Sequence, residues 1–271
     1  MDLLGLKFRK LWTRRSKPII NYYIMGKTKI HVIMRMTPDI YVPISGIGSR
    51  PSWYDKETVF RSVFLTKDAD TEFTIVFDGD PRGHWIYKYS IKELIPIQGG
   101  TGDLSMANML HITMNMSLPD NDIIYFLEDD YLHKKGWCTL LREGLSKRLM
   151  PDTIKFDYIT LYDHYDKYYF NDEYTKHTYA ELTSRIAVSK STHWRTIPST
   201  TNTYAMRVKT FMDDIDVHML YKNIDNDKFI ELGKNYKRVI ASCVPGWSTH
   251  CHNEFLSPCV DWEDVFRQNT L

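Results

Sequence analysis

The chain has 271 residues, with 35 Lys plus Arg against 34 Asp plus Glu. A formal charge of +1 offers no basic face for neutralising phosphates, so a nucleic-acid partner is not expected. Hydrophobic residues at 43% and charged residues at 25% are ordinary globular proportions; they exclude wholesale disorder and fibrous repeats and leave one large domain or two small ones.

Residues 1–28 read as a basic arm. Lys7, Arg9, Lys10, Arg14, Arg15 and Lys17 interrupt every apolar stretch before a secretory segment can form. Two readings stay open: a short amphipathic helix in peripheral contact with an anionic membrane surface, or a flexible or docked terminus. The chain lacks the roughly 18 uninterrupted apolar residues of a spanning helix. Cys138, Cys243, Cys251 and Cys259 form no CxxC pair, and the expected setting is a reducing, cytoplasmic one.

Residues 29–271 are expected to form one α/β domain, since no linker rich in Pro, Gly or Ser divides them. KIHVIMRM, Lys29 to Met36, is a short apolar run of the kind found in a buried parallel strand. A loop punctuated by Pro38, Pro43, Gly46, Gly48 and Pro51 follows, and it contains Arg50, Trp53 and Tyr54. A helical segment from about Asp55 to Thr66 leads to a second strand, Phe73 to Asp80. Lys92 to Ile97 reads as a third strand stopping at Gly99 and Gly100, and Asp103 to Met116 has helical period. The clearest strand, Ile123 to Leu127, runs straight into Glu128, Asp129 and Asp130.

Beyond Gly136 a helix to about Leu149 and a strand from Phe156 to Tyr162 are expected. The remainder is less regular, with a Ser/Thr-rich stretch from Ser189 to Thr203 and a helix starting near Asp213 and Asp214. Alternating strands and helices imply a mostly parallel central sheet flanked by helices, which binds ligands at the carboxyl ends of its strands. Asp78 and the triplet Glu128–Asp130 stand at such ends.

Three adjacent carboxylates oppose one another's ionisation unless a cation or hydrogen-bond donors meet them. A divalent metal is one answer, with Mn2+ or Mg2+ suited to oxygen ligands; a solvated acidic loop is the other. The later run Cys243, His250, Cys251, His252, Cys259 carries metal-binding atom types, but its spacing matches no zinc finger or ribbon.

IYFLEDDY, Ile124 to Tyr131, resembles the acidic metal-binding motif of GT-A-type nucleotide-sugar glycosyltransferases, with Glu-Asp-Asp in place of Asp-x-Asp. Arg35 after the first strand, Asp78 after the second, the Gly99-Gly100 turn and Asn108 on the next helix resemble the nucleotide-binding half of that fold, in the same order. KTFMDDIDVHML, Lys209 to Leu220, is similar to the helix start that supplies a general base in inverting members, and GWSTHCH, Gly246 to His252, to the C-terminal loop that gives the metal a histidine.

The resemblance implies a single GT-A-like, Rossmann-like domain that moves a sugar from a nucleoside diphosphate sugar to a hydroxyl of a glycan or other acceptor. It assigns the metal to Asp130, Glu128 and His250, the donor to Arg35, Asp78, Gly99, Gly100, Asn108 and Asp129, and the base to Asp214 with Asp213 behind it. Each residue also has a plainer reading: Asp78 as a turn residue, Arg35 as a salt-bridge partner, Gly99-Gly100 as a connection, Asp213 and Asp214 as helix-end acids, His250 as a loop histidine. Two other functions stay open: a metal-dependent nucleotidyltransferase or phosphodiester hydrolase, which needs a second carboxylate cluster from Asp163 or Asp213, and a non-catalytic carbohydrate-binding protein.

Overall fold

The structure, a computed structural model, describes residues 28–38, 49–146, 149–168 and 183–270. The basic arm expected over residues 1–28 and most of the Pro/Gly loop lie outside the described residues.

The first half alternates as the sequence implies: β1 (Ile30–Met36), α1 (Lys56–Phe64), β2 (Thr71–Asp78), β3 (Glu93–Ile97), α2 (Gly102–Met114) and β4 (Ile123–Glu128). Helix α1 starts where an acid can cap it, with the Asp55 carboxylate accepting from Thr58 N at 2.7 Å; Thr101 caps α2 through Leu104 N. There follow β5 (Tyr131–His133), α3 (Trp137–Gly144), β6 (Tyr158–Thr160), β7 (Ile186–Val188), β8 (His193–Thr196), β9 (Tyr204–Arg207), α4 (Val208–Asp213), α5 (Ile215–Tyr221), α6 (Asp225–Lys234), β10 (Ile240–Val244), β11 (Ser248–His250) and α7 (Trp262–Thr270).

Among the described residues, nine strands form one sheet in the order β3-β2-β1-β4-β9-β6-β10-β8-β7. Only β8 and β9 run against the other seven, so the expected mostly parallel sheet is the one observed. The second half is more ordered than its sequence suggests. The Ser/Thr-rich stretch contains β8, whose buried Trp194 is the register partner of Cys243, and β9 fills the gap between β4 and β6.

Both faces of the sheet are buried, which is why β4 reads as an unbroken apolar run up to Glu128 and β1 as an apolar run broken only by His31 and Arg35. Successive residues serve opposite faces. Ile123, Tyr125 and Leu127 pack with Phe60 and Val63 of α1 and Trp137 of α3; Ile124 and Phe126 pack with Met106 and Leu110 of α2 and Phe211 of α4. A smaller core joins α1, β5 and α7 through Val59, Leu132, Trp262 and Phe266, and it includes Cys251. No helix among the described residues is long and apolar enough to cross a membrane.

Candidate metal and nucleotide site

Strand β4 delivers Glu128, Asp129 and Asp130 to the carboxyl edge of the sheet, where the chain turns into β5. Strand β11 pairs antiparallel with β5 to make a separate two-stranded ribbon in which His250 lies opposite Tyr131. Cys251 N donates to the Asp130 carbonyl at 2.9 Å, which fixes the ribbon's end against the acidic turn. In the His-Cys-His run, Cys251 is fully buried in the small core while the flanking imidazoles stand beside Asp130. Alternation along extended backbone accounts for this division.

Asp130, His250 and His252 each offer one ligand atom, and these atoms lie within 4.8 Å of one another. His250 Nε2 is 3.0 Å and His252 Nε2 3.8 Å from Asp130 Oδ2. The His250 ring stacks on Tyr131 at 4.9 Å and on Phe255 at 5.9 Å, so its orientation is set by packing. Burial opposes ionisation of Asp130, but His250 and Arg50 outweigh it and hold the carboxyl well below the usual carboxylate range. Burial likewise opposes charging of His250, and Asp130 overrides it and raises the imidazole. A carboxylate and two imidazoles fit a first-row transition ion, Mn2+ among them, better than Mg2+, which prefers an all-oxygen octahedron.

Each acid of the triplet meets its own cation, drawn from a different segment. Arg35 of β1 pairs with Glu128 and also donates to Gly102 O at 3.0 Å. Lys56 of α1 lies 2.8 Å from Asp129 Oδ2 and donates to Thr37 O; Thr37 N also donates to Asp129. Arg50 donates to Asp130 Oδ2 at 3.0 Å. Burial raises the Glu128 carboxyl, with Arg35 opposing and Asp130 adding to the rise. Glu128 is thus committed to Arg35, and it is His252, rather than the Glu128 that the resemblance implies, that joins Asp130 and His250 in the group able to hold a metal.

The remaining expected residues divide. Arg35, Asp129, Asp130 and His250 are brought together. Asp78 supports the neighbouring turn: its Oδ1 accepts from Gly99 N at 2.8 Å and from Gly100 N at 3.3 Å. Asn108 donates to Leu104 O within its own helix.

Asp213 and Asp214 require a correction. They stand at the end of α4, Asp213 as its last residue and Asp214 as its C-cap; α4 leaves the sheet where Arg207 pairs with Ile123, the first residue of β4, so the two acids lie toward the opposite end of the sheet from the triplet. Asp214 is buried and accepts from Tyr158 OH at 2.8 Å and from Arg238 Nε and Nη2 at 2.8 and 2.7 Å. Asp213 is exposed and pairs with Lys209 one turn earlier. A buried, doubly paired carboxylate at that end cannot serve as base at the triplet. Asp163 does not supply a second cluster either, because Arg195 and Tyr168 hold its two oxygens at 2.7 and 2.6 Å.

Arg50, Lys56 and His252 are site residues that the sequence assignment omits. The i, i+2 spacing of His250 and His252 is a readable signal; the two cations reach the triplet through contacts 80 and 73 residues apart.

The fold is that of an α/β protein whose mostly parallel sheet gathers an acidic cluster at the carboxyl ends of its strands. No protein-family model matches the sequence and no curated protein matches it. Solved structures similar to this chain include the bifunctional glycosyltransferase WbbM, with 11% identity over 90% of this chain and 50% of that one and a TM-score of 0.46. The galactosyltransferase LgtC, solved with donor and acceptor sugar analogues, has 9% identity over 74% and 69% of the two chains and a TM-score of 0.41. The 2-C-methyl-D-erythritol 4-phosphate cytidylyltransferase of Francisella tularensis has 12% identity over 90% and 99%, with a TM-score of 0.42. Likeness at this level leaves activity to the site's own residues.

Proposed function

We propose that the protein is a metal-dependent glycosyltransferase that moves a sugar from a nucleoside diphosphate sugar to a hydroxyl acceptor. The observation that carries this reading is the Asp130–His250–His252 cluster at the carboxyl edge of the sheet, with Glu128 and Asp129 beside it. A divalent ion bound there would neutralise charge on a departing diphosphate. Arg50 and Lys56 add fixed positive charge next to the same place, and Tyr131 and Phe255 hold one imidazole ligand in orientation.

Nucleotidyl transfer through two metal ions is the rival chemistry, and it calls for a second group of carboxylates. Among the described residues the one such cluster mixes a single carboxylate with two imidazoles, which favours the single-ion reading. The test is incubation with a panel of nucleotide sugars with and without Mn2+. Mn2+-dependent release of nucleoside diphosphate from one donor is expected; turnover of nucleoside triphosphate to pyrophosphate instead would overturn the reading. Absence of any thermal shift with UDP or GDP plus Mn2+ would point to a carbohydrate-binding protein without catalysis.

A further inference from the structure

Resting on the metal reading above, we propose that Arg50 couples metal binding to diphosphate binding: it competes with the metal for the Asp130 carboxylate and serves as the counter-ion of a diphosphate that binds with the metal. Arg50 Nη1, His250 Nε2 and His252 Nε2 all converge on the same atom, Asp130 Oδ2, at 3.0, 3.0 and 3.8 Å. A cation held by that oxygen and both imidazoles must displace the guanidinium.

The other two cations face no such displacement. Lys56 keeps Asp129 and the Thr37 carbonyl, and Arg35 keeps Glu128 and the Gly102 carbonyl. Only Arg50 loses its carboxylate to the metal.

The displaced guanidinium can neither discharge nor withdraw far. An arginine stays protonated at any working pH. Arg50 Nη1 also donates to the Cys251 carbonyl at 3.0 Å, and the guanidinium lies 4.7 Å above the Tyr54 ring. The neighbouring Ser49 is tied to Asn253 by two hydrogen bonds, at 3.0 and 2.7 Å, so the segment is anchored to the histidine loop. A guanidinium held beside a divalent ion in a partly dewetted site is repelled by it. An anion bridging the two reverses that sign, and the planar fork of arginine matches phosphate oxygens. The metal alone therefore binds weakly and the metal with its diphosphate binds tightly, so the site fills as a unit.

Arg50→Gln separates the two effects because it removes charge at similar length. Titration of the full chain with Mn2+ alone and with the preformed Mn2+–pyrophosphate complex reads both, with thermal unfolding as the check on folding. Arg50→Gln is expected to bind Mn2+ alone about tenfold more tightly and the complex at least about tenfold more weakly, each the effect of one close charge. Arg50→Lys, which keeps the charge, is expected to bind Mn2+ as weakly as the parent and the complex with an intermediate loss.

Shifts of the same sign in both titrations, or an unchanged affinity of Arg50→Gln for the complex, would overturn the proposal. A parent protein that binds neither probe overturns it together with the metal reading. A parent that shows the coupling but transfers no sugar overturns only the sugar-transfer reading.

Discussion

Asp130 and His250, 120 residues apart in sequence, meet at 3.0 Å because the two-stranded ribbon lays the end of β11 against the start of β5. The contact joins an acidic turn at the edge of the main sheet to a loop near the end of the described chain. A site assembled this way depends on both imidazoles that the loop carries.

His250→Ala and His252→Ala are therefore each expected to weaken Mn2+ binding in the presence of nucleotide. The loss should be on the order of 10–100-fold, since groups that merely orient a metal ligand already cost that much. Thermal unfolding of each variant separates loss of a ligand from loss of the packing that His250 makes with Tyr131 and Phe255. An unaltered Mn2+ titration in His252→Ala would remove that residue from the cluster.

The acidic turn was legible because β4 is buried on both faces: five apolar residues followed by three acids mark a strand end whatever surrounds it. His252 was legible in principle, through its two-residue spacing from His250. Its partner was not, because the β5–β11 ribbon consists of two three-residue strands, too short to show a period. The general-base assignment failed for a related reason. Acids near a helix start look alike whether they face a cleft or pair with an arginine inside the fold's edge, and the arginine that claims buried Asp214 is Arg238, reached only through the tertiary fold. The strands β7, β8 and β9 were hidden because Ser and Thr dominate their surroundings and each is only three or four residues long, too short to show a period.

The pair at Asp213 and Asp214 gives a direct check on that correction. Asp214→Asn leaves the Arg238 guanidinium without its buried partner and should cost roughly 3 kcal/mol of stability, the lower end for a broken buried pair because Arg238 is partly solvated. Asp213→Asn removes an exposed one-turn pair and should leave stability nearly unchanged. Chemical denaturation measures both, and the Mn2+-dependent turnover of folded Asp214→Asn should stay near that of the parent. A large loss of turnover at unchanged stability would restore Asp214 as a catalytic group.

Gly99 and Gly100 are both expected to resist substitution, for different reasons. A Cβ on Gly99 would stand 2.7 Å from Asp78 Oδ2 and 2.7 Å from Ser105 N, so Gly99→Ala must push the start of α2 away from β2. A cost of about 1–3 kcal/mol follows from such overpacking. Gly100 has open space around its Cβ position but a φ of +70°, so Gly100→Ala pays only the left-handed backbone cost of roughly 1 kcal/mol. Equal denaturation midpoints for the two variants would show that the Asp78 turn is looser than its hydrogen bonds imply.

Lys228 supplies a stability signature in pH. It is fully buried, donates to Asn202 Oδ1 at 2.8 Å, and lies 5.4 Å from the Tyr204 ring centroid. Burial pushes its ammonium from the ordinary 10.5 down to about 7, against the attraction of Asp225 and Glu128. Between those two values the unfolded chain holds a proton that the folded chain has released, so stability rises with pH across this window. The slope for one proton is at most about 1.4 kcal/mol per pH unit. Buried Cys243, pushed up to about 12, acts in the opposite direction once unfolded thiols begin to ionise above about 8.5, so the clean interval runs from about pH 7 to 8.5. Lys228→Met keeps the stem in its apolar slot and removes the titration. The difference in unfolding free energy between parent and variant should then move in the parent's favour as pH rises from 7 to 8.5, whatever other groups contribute in common. A difference that stays flat over that interval would mean that Lys228 remains charged in the fold, held by Asn202 and its acidic neighbours.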